Sequence, residues 1–168
     1  MPKIIENLKQ RLLEEAKRQV EELGYTEVTI RSIAKGCGVG VGTVYNYFPS
    51  KETLIASYLL QDWALCVDVI RDTAARAEEP KPVLLCIHQQ LLGFASRHEA
   101  IFQAEAAAAG FAGSFSRYHD MLRGQLAQPL HKFCDSDFAA QFVAESLLTW
   151  TMGGKTFQQI YEILKKLF

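Results

Sequence analysis

The sequence predicts an all-α fold of about nine helices, with a short N-terminal three-helix unit of helix-turn-helix type and a longer helical bundle behind it. Three observations predict it. Apolar residues recur at three- and four-residue steps, the period of a helix with one buried face. Strand-like alternation is absent. Gly and Pro fall between the periodic stretches, where they act as punctuation. At 168 residues and 49% apolar content the chain suits one or two small domains with a real core. The division falls between residues 1–49 and residues 50–168.

The first helix covers residues 3–23, with Ile5, Leu8, Leu12, Ala16, Val20 and Leu23 as its apolar stripe. Gly24 then sits where a left-handed C-terminal cap is wanted. Thr29 caps a second helix that runs to residue 36 and buries Ile30, Ile33 and Ala34. Gly38 and Gly40 allow a tight turn into a third helix, residues 41–48. Pro49 stops that helix, and Ser50 caps a long fourth one over residues 51–77, with Glu52 near its positive end. The run Glu78-Glu79-Pro80-Lys81-Pro82 breaks it, and Pro82 starts the fifth, to residue 96. The sixth covers 99–109 and stops at Gly110. The seventh covers 114–134 and is kinked at Pro129, which lacks a backbone donor. Asp135-Ser136-Asp137 caps the eighth, to residue 152, and Gly153-Gly154 separates it from the ninth, residues 155–167. There is no internal repeat and no low-complexity tail.

A formal net charge of −1 argues against a nonspecific nucleic-acid binder. A small DNA-reading head on a neutral or acidic body averages to the same value. Cys37, Cys66, Cys86 and Cys134 are scattered, with no two at metal-ligand or redox spacing. With no secretory signal, reduced thiols and a cytoplasmic protein are expected. No apolar run approaches the roughly 20 residues of a membrane helix, so no membrane partner is expected. His88, His98, His119 and His131 lack ligand spacing, so neither a metal nor a cofactor is expected.

Residues 29–55, TIRSIAKGCGVGVGTVYNYFPSKETLI, hold most of the functional information. They read as a short helix, a glycine-rich turn, a second short helix and the start of a third, the order of a helix-turn-helix DNA reader. Specific DNA binding needs phosphate contacts, base-edge contacts and a packed scaffold. Val39, Val44 and Phe48 have the spacing to bury the motif. Thr29, Thr43, Tyr45, Tyr47 and Lys51 offer hydroxyl or ammonium donors to phosphates, Lys51 at a helix start that itself favours anions. Arg31 and Asn46 suit guanine and adenine edges, and Val41 a thymine methyl. Gly42 lets the helix approach DNA closely. A purely structural hairpin is disfavoured because Tyr45 and Tyr47, two apart, cannot both face one core.

On these residues, 4–55 resemble the N-terminal domain of the tetracycline-repressor (TetR) family of bacterial regulators. The remainder is similar only in helix order and length. The resemblance implies that three N-terminal helices bind DNA, that the fourth links them to a helical ligand-binding body, and that the last two form a four-helix dimer interface. It implies a base-reading role for Arg31 and phosphate contacts for Thr29, Thr43, Tyr45, Tyr47 and Lys51. It puts Val41, Gly42 and Asn46 at exposed recognition-helix positions. Cys37 and Gly40-Val41-Gly42 depart from the family pattern, and the chain is shorter than is usual for the family.

In the body, Trp63, Phe94, Phe102, Phe111, Phe115, Tyr118 and Trp150 are, as a set, candidate walls of an apolar ligand cavity, although each alone is better read as core. Glu105 lies in a nearly uncharged stretch. Buried, it would favour a cationic ligand or pair with Arg97 or His119; solvent-facing, it does neither. Phe138, Phe142 and Trp150, with Phe157, Ile160, Tyr161 and Leu164, form wide stripes on the last two helices that suit a dimer interface. One recognition helix reads few bases, whereas a two-fold dimer reads an inverted repeat with half-sites about 34–36 Å apart, or a multiple.

The expected function is a homodimeric, sequence-specific regulator of transcription that binds double-stranded DNA and is released by a small apolar or amphipathic effector. The alternative is a DNA-binding protein of the same fold that recruits a protein partner and has no effector. An enzyme is not expected, because no nucleophile–base pairing, phosphate loop or metal set stands in the sequence.

Overall fold

The computed structural model describes residues 7–107 and 111–168, apart from the side chains of 105–107 and 111–117. Ile5, the predicted first turn at residues 3–6, and Gly110 lie outside the described residues. Among those described there are nine α-helices and no strands. They are α1 (Leu8–Leu23), α2 (Ile30–Cys37), α3 (Val41–Tyr45), α4 (Lys51–Arg76), α5 (Pro80–Arg97), α6 (Glu99–Ala107), α7 (Phe111–Ala127), α8 (Asp137–Met152) and α9 (Phe157–Leu164). Two compact units divide the chain, Met1–Asp62 and Trp63–Phe168.

In the first unit, Leu8, Leu12, Leu13, Ala16 and Val20 of α1 are buried, as are Ile30, Ile33 and Ala34 of α2, Val44 of α3 and Phe48. Leu54, Ile55 and Tyr58 on the first turns of α4 complete this core. Polar groups register the helices. The buried Gln19 amide donates to the Ser32 carbonyl at 3.1 Å, and the Ser32 hydroxyl donates back to Gln19 Oε1 at 2.6 Å. Burying an amide is tolerable here because its donor and acceptor are both paired. Arg11 Nη2 donates to the Cys37 carbonyl at 3.1 Å, putting a cation on the negative end of α2. Lys17 bridges to Asp62 at 3.0 Å, which ties α1 to α4.

The second unit packs Trp63, Val67 and Ile70 of α4 with Val83, Leu84, Ile87 and Leu91 of α5, Val143, Ala144, Leu147 and Leu148 of α8, and Ile160 and Leu164 of α9. One buried polar pair crosses this core: His88 Nδ1 lies 2.8 Å from Thr151 Oγ1. The His88 ring also tilts against Phe157, with centroids 5.7 Å apart.

Several boundaries differ from expectation, each for a local reason. Gly24 has the positive φ of a cap, 84°, but an extended ψ of 154°, not a left-handed turn. The third helix ends at Tyr45, not 48, because Pro49 disfavours helical geometry just before it. The fifth starts at Pro80, not Pro82. Both prolines fit, since first-turn N–H groups have no partner within a helix. The seventh starts at Phe111 and ends at Ala127. The Pro129 kink is realised as a 3₁₀ turn over Gln128–Phe133. No uninterrupted apolar run approaches membrane length among the described residues, but one helix is apolar on average. By length and composition α4 passes for a membrane span, with a mean hydropathy of 1.4 over 18 residues. Asp62 and Asp68 interrupt any continuous run, so the sequence hides it. The helix is apolar because it gives Leu54, Ile55 and Tyr58 to one core and Trp63, Val67 and Ile70 to the other.

Burial pushes the His88 imidazole below its ordinary value of 6.5, so the folded protein holds it neutral while the unfolded chain protonates. Its contribution to stability is full above about pH 6.5 and is lost as pH falls through the window below that value. We expect the melting temperature to fall between about pH 7.5 and about pH 5.5. His88→Gln should flatten that fall, as read by thermal melts across the range.

Candidate nucleic-acid interface

Thr29 begins α2 with a reciprocal cap. Its Oγ1 accepts the Ser32 N–H at 3.0 Å, and the Ser32 hydroxyl accepts the Thr29 N–H at 3.1 Å. The helix ends at Gly38, with φ 68° and ψ 33°. There the Gly38 N–H reaches the Lys35 carbonyl at 3.1 Å and the Val39 N–H the Ala34 carbonyl at 3.0 Å. This is a Schellman termination, whose left-handed residue favours glycine. The chain then enters α3 within three residues. Val44 and Phe48 point into the core, and Val39 is half-buried. At the far side, the Ser50 hydroxyl accepts the Thr53 N–H at 3.1 Å and caps α4.

These elements border an open cleft of about 570 Å³. Thr29 and Arg31 of the α2 start, Val41 and Tyr45 of α3, and Lys51 of α4 all line it. Thr26, Val28, Ile30, Pro49, Ser50 and Glu52 complete the wall. Five of the nine expected DNA-contact residues are thereby brought together. Gly42, Thr43, Asn46 and Tyr47 lie outside the lining. Gly42, Asn46 and Tyr47 are exposed and Thr43 half-exposed. A Cβ on Gly42 would meet nothing within 4 Å. Asn46 and Tyr47 follow α3 in a turn and do not belong to the helix. Residues 28–51 include Arg31, Lys35 and Lys51 and no carboxylate, so the face is locally cationic in a chain of net charge −1. Glu52 at the rim is the exception.

Lys51, expected to offer its ammonium to a phosphate, also makes a contact within the first unit. Its Nζ donates to the Tyr25 carbonyl at 2.6 Å and lies 4.2 Å from the Tyr25 ring centroid. Burial pushes its ammonium below the ordinary lysine value, with Glu52 and Glu27 acting in the opposite direction. The Cys37 thiol, buried in the first unit, is raised by burial.

In the second unit Trp63, Phe94 and Phe102 form an aromatic row, with centroid separations of 5.4 and 6.1 Å. The Trp63 indole donates to Gln125 Oε1 at 2.7 Å. Tyr118 is half-buried. The side chains of Glu105, Phe111 and Phe115 lie outside the described residues. Trp150 stands apart from the row. It is 53% exposed and lines a groove of about 360 Å³ between α8 and α9, with Phe142, Ile160, Ile163 and Leu164. Phe138 is 77% exposed and Phe142 49%. On α9 the stripe predicted to face a partner turns largely inward: Ile160 and Leu164 join the core, and Phe157 and Tyr161 stack half-buried at 5.4 Å. Ile163, which the stripe omitted, is exposed.

Residues 12–58 match the family model for bacterial regulatory proteins, tetR family. The HTH-type transcriptional regulator UidR of Escherichia coli (strain K12) is 38% identical over 52 residues, which is 31% of this chain and 26% of UidR. The chain thus spans about a quarter of the length of that relative in the match. Over the whole chain there are similarities of fold. A regulator structure from Streptomyces coelicolor A3(2) superposes with a TM-score of 0.71 at 15% identity, covering 96% of this chain and 98% of its own. Thermus thermophilus FadR, a TetR family transcriptional repressor solved with lauroyl-CoA, gives a TM-score of 0.68 at 21% identity, covering 95% and 92%.

The α2 cap carries a stability test. Thr29→Ala is expected to cost about 1 kcal/mol in denaturant unfolding, whereas Thr29→Ser keeps the accepting oxygen and most of the stability.

Proposed function

We propose that the chain, whose residues 12–58 match the family model for bacterial regulatory proteins, tetR family, is a sequence-specific, double-stranded-DNA-binding transcriptional regulator, a repressor that acts in the cytoplasm as a homodimer. The observation that carries this reading is the open cleft on which Thr29, Arg31, Val41, Tyr45 and Lys51 converge. Its chemistry suits the task. Arg31 presents a guanidinium that can read a guanine edge bidentately, and Val41 an apolar contact for a thymine methyl. Tyr45, Thr43 and Tyr47 supply hydroxyl donors for the phosphates on either side, and Asn46 an amide for adenine. The bare Gly42 lets the α3 backbone approach the groove.

The α8–α9 face supports the dimer. Phe138, Phe142 and Trp150 are large apolar side chains left open beside an apolar groove, an arrangement that marks a protein–protein surface more than a solvated one. Two copies related by a two-fold axis would present two reading faces to an inverted repeat.

The effector reading is supported by the aromatic row of Trp63, Phe94 and Phe102 and by the fold shared with Thermus thermophilus FadR, which holds lauroyl-CoA. We infer an amphipathic effector held in the second unit, against Trp63, Phe94 and Phe102. Helix α4 runs unbroken from Lys51 to Arg76, so a ligand that favours one setting of its C-terminal half biases the other end, where Lys51 and the reading face sit. A swing from 1:99 to 99:1 requires about 5.5 kcal/mol of differential affinity.

Selection from a random duplex pool tests the reading. The wild-type chain should enrich an inverted repeat. Arg31→Ala should relax one position of each half-site at a cost of about 1–3 kcal/mol. Loss of affinity with an unchanged sequence preference would contradict the role given to Arg31. For the dimer, Phe142→Glu should convert the protein to monomer in sedimentation and abolish preference for two half-sites over one. A variant that remains dimeric would place the interface elsewhere.

A further inference from the structure

Arg97 stands beside the aromatic row of the second unit. Trp63 and Cys66 lie three apart on α4, and Phe94 and Arg97 three apart on α5, so each pair shares a helix face. The two faces meet twice. The Trp63 and Phe94 rings pack edge to face with centroids 5.4 Å apart, and Arg97 Nη2 donates to Cys66 Sγ at 3.3 Å. The guanidinium reaches that thiol by lying back along α5 over Gly93, where a Cβ would come within 3.3 Å of Nη1. Phe102 of α6 continues the row beyond Phe94, at 6.1 Å.

That thiol is a poor partner for a full positive charge. Its sulfur is a weak acceptor, and Cys66 is 2% exposed among apolar neighbours. Arg123, in contrast, reaches Asp120 at 2.9 Å and Glu145 at 3.7 Å, and Arg71 reaches Asp68 at 3.9 Å. Among the described residues no carboxylate pairs with Arg97. The dipole of α5 accounts for a cation in its last turn. It does not account for a fork turned back toward Cys66 and the rings. Half-buried rings beside a guanidinium with donors to spare complement a molecule that has an apolar chain and an anionic head.

We propose that the effector is an anionic amphipath, whose carboxylate or phosphate head is held by Arg97 and whose apolar chain lies along Trp63, Phe94 and Phe102. This rests on the effector reading above and names the class of ligand which that reading leaves open. On binding, the guanidinium exchanges a weak sulfur acceptor for charge-assisted, bidentate hydrogen bonds to an oxyanion. The bare Gly93 leaves the fork room to turn.

The experiment is a calorimetric titration of the full chain with decanoate, decyl phosphate, decanol and decyltrimethylammonium, each below its micelle-forming concentration. We expect one or both anions to bind at least about tenfold more tightly than decanol, and the cation more weakly than decanol. Which anion binds best identifies the head. Arg97→Met should remove the advantage of the anions and leave decanol unchanged. Arg97→Gln carries the same test should Arg97→Met fail to fold. Phe102→Ala should weaken the anions and decanol alike. Decanol that binds wild type as tightly as both anions would overturn the proposal, as would an anion preference that survives in Arg97→Met. In either case the effector reading stands, because the alkyl chain still binds. Anion binding that Phe102→Ala leaves unchanged would put the chain away from the row and overturn the proposal too. If wild type binds none of the probes, the reading of an amphipathic effector fails together with it.

Discussion

At Gly38 the chain must turn from α2 into α3 within three residues, and a φ of 68° there lets two N–H groups close onto the last carbonyls of α2. The rest of the proposed reading face depends on that turn. A β-carbon at such a backbone setting costs roughly 1–2 kcal/mol, and relaxing the turn would rotate α3 off its packed side. With the turn fixed, Val44 and Phe48 fall into the core, and Tyr45, Asn46 and Tyr47 are left facing outward. The five residues of α3 are too few for a helix that stands alone in water. Its geometry is borrowed from α1 and α2, so this recognition element is rigid by tertiary packing and not by its own propensity, with Gly42 in its middle.

α1 supplies the scaffold through both kinds of interaction. Its apolar stripe carries the energy, while Gln19, Arg11 and Lys17 set register against α2 and α4. The buried Gln19–Ser32 exchange shares an atom with the Thr29 cap, because the same Ser32 hydroxyl serves both. The start of α2, where Arg31 emerges, is thus held from below by α1 and from behind by its own cap. The base-reading role proposed for Arg31 needs such support, since bidentate recognition tolerates little error in the position of its fork.

Local chemistry was legible in the sequence. Thr29, Ser50 and Ser136 as caps, Gly38 as the turn residue, and the apolar stripes of α1 and α2 can each be read from a few neighbouring residues, because the physics that fixes them is local. The ends of α3 and α5 were less so. A proline acts on the residue before it, and two prolines in one first turn leave the start ambiguous. Long-range partners were not legible. The Lys51 acceptor is a backbone carbonyl 26 positions away, and every residue offers a carbonyl. The stripe on α9 was correctly periodic, but which neighbour Ile160 and Leu164 would face depends on how α8 and α5 sit beside them. For Trp150 the two roles expected from sequence separate only by exposure, which puts it at the α8–α9 groove and away from Trp63 and Phe94.

The central claim is that DNA is read by the face formed by α2, α3 and the start of α4. Amide hydrogen exchange on the full chain, with and without a duplex carrying the selected repeat, addresses it most directly. The account predicts slowed exchange concentrated in residues 28–51, with the α5 and α8 core unchanged. Binding that leaves residues 28–51 exchanging as in the free protein, with slowing confined to other helices, would contradict it.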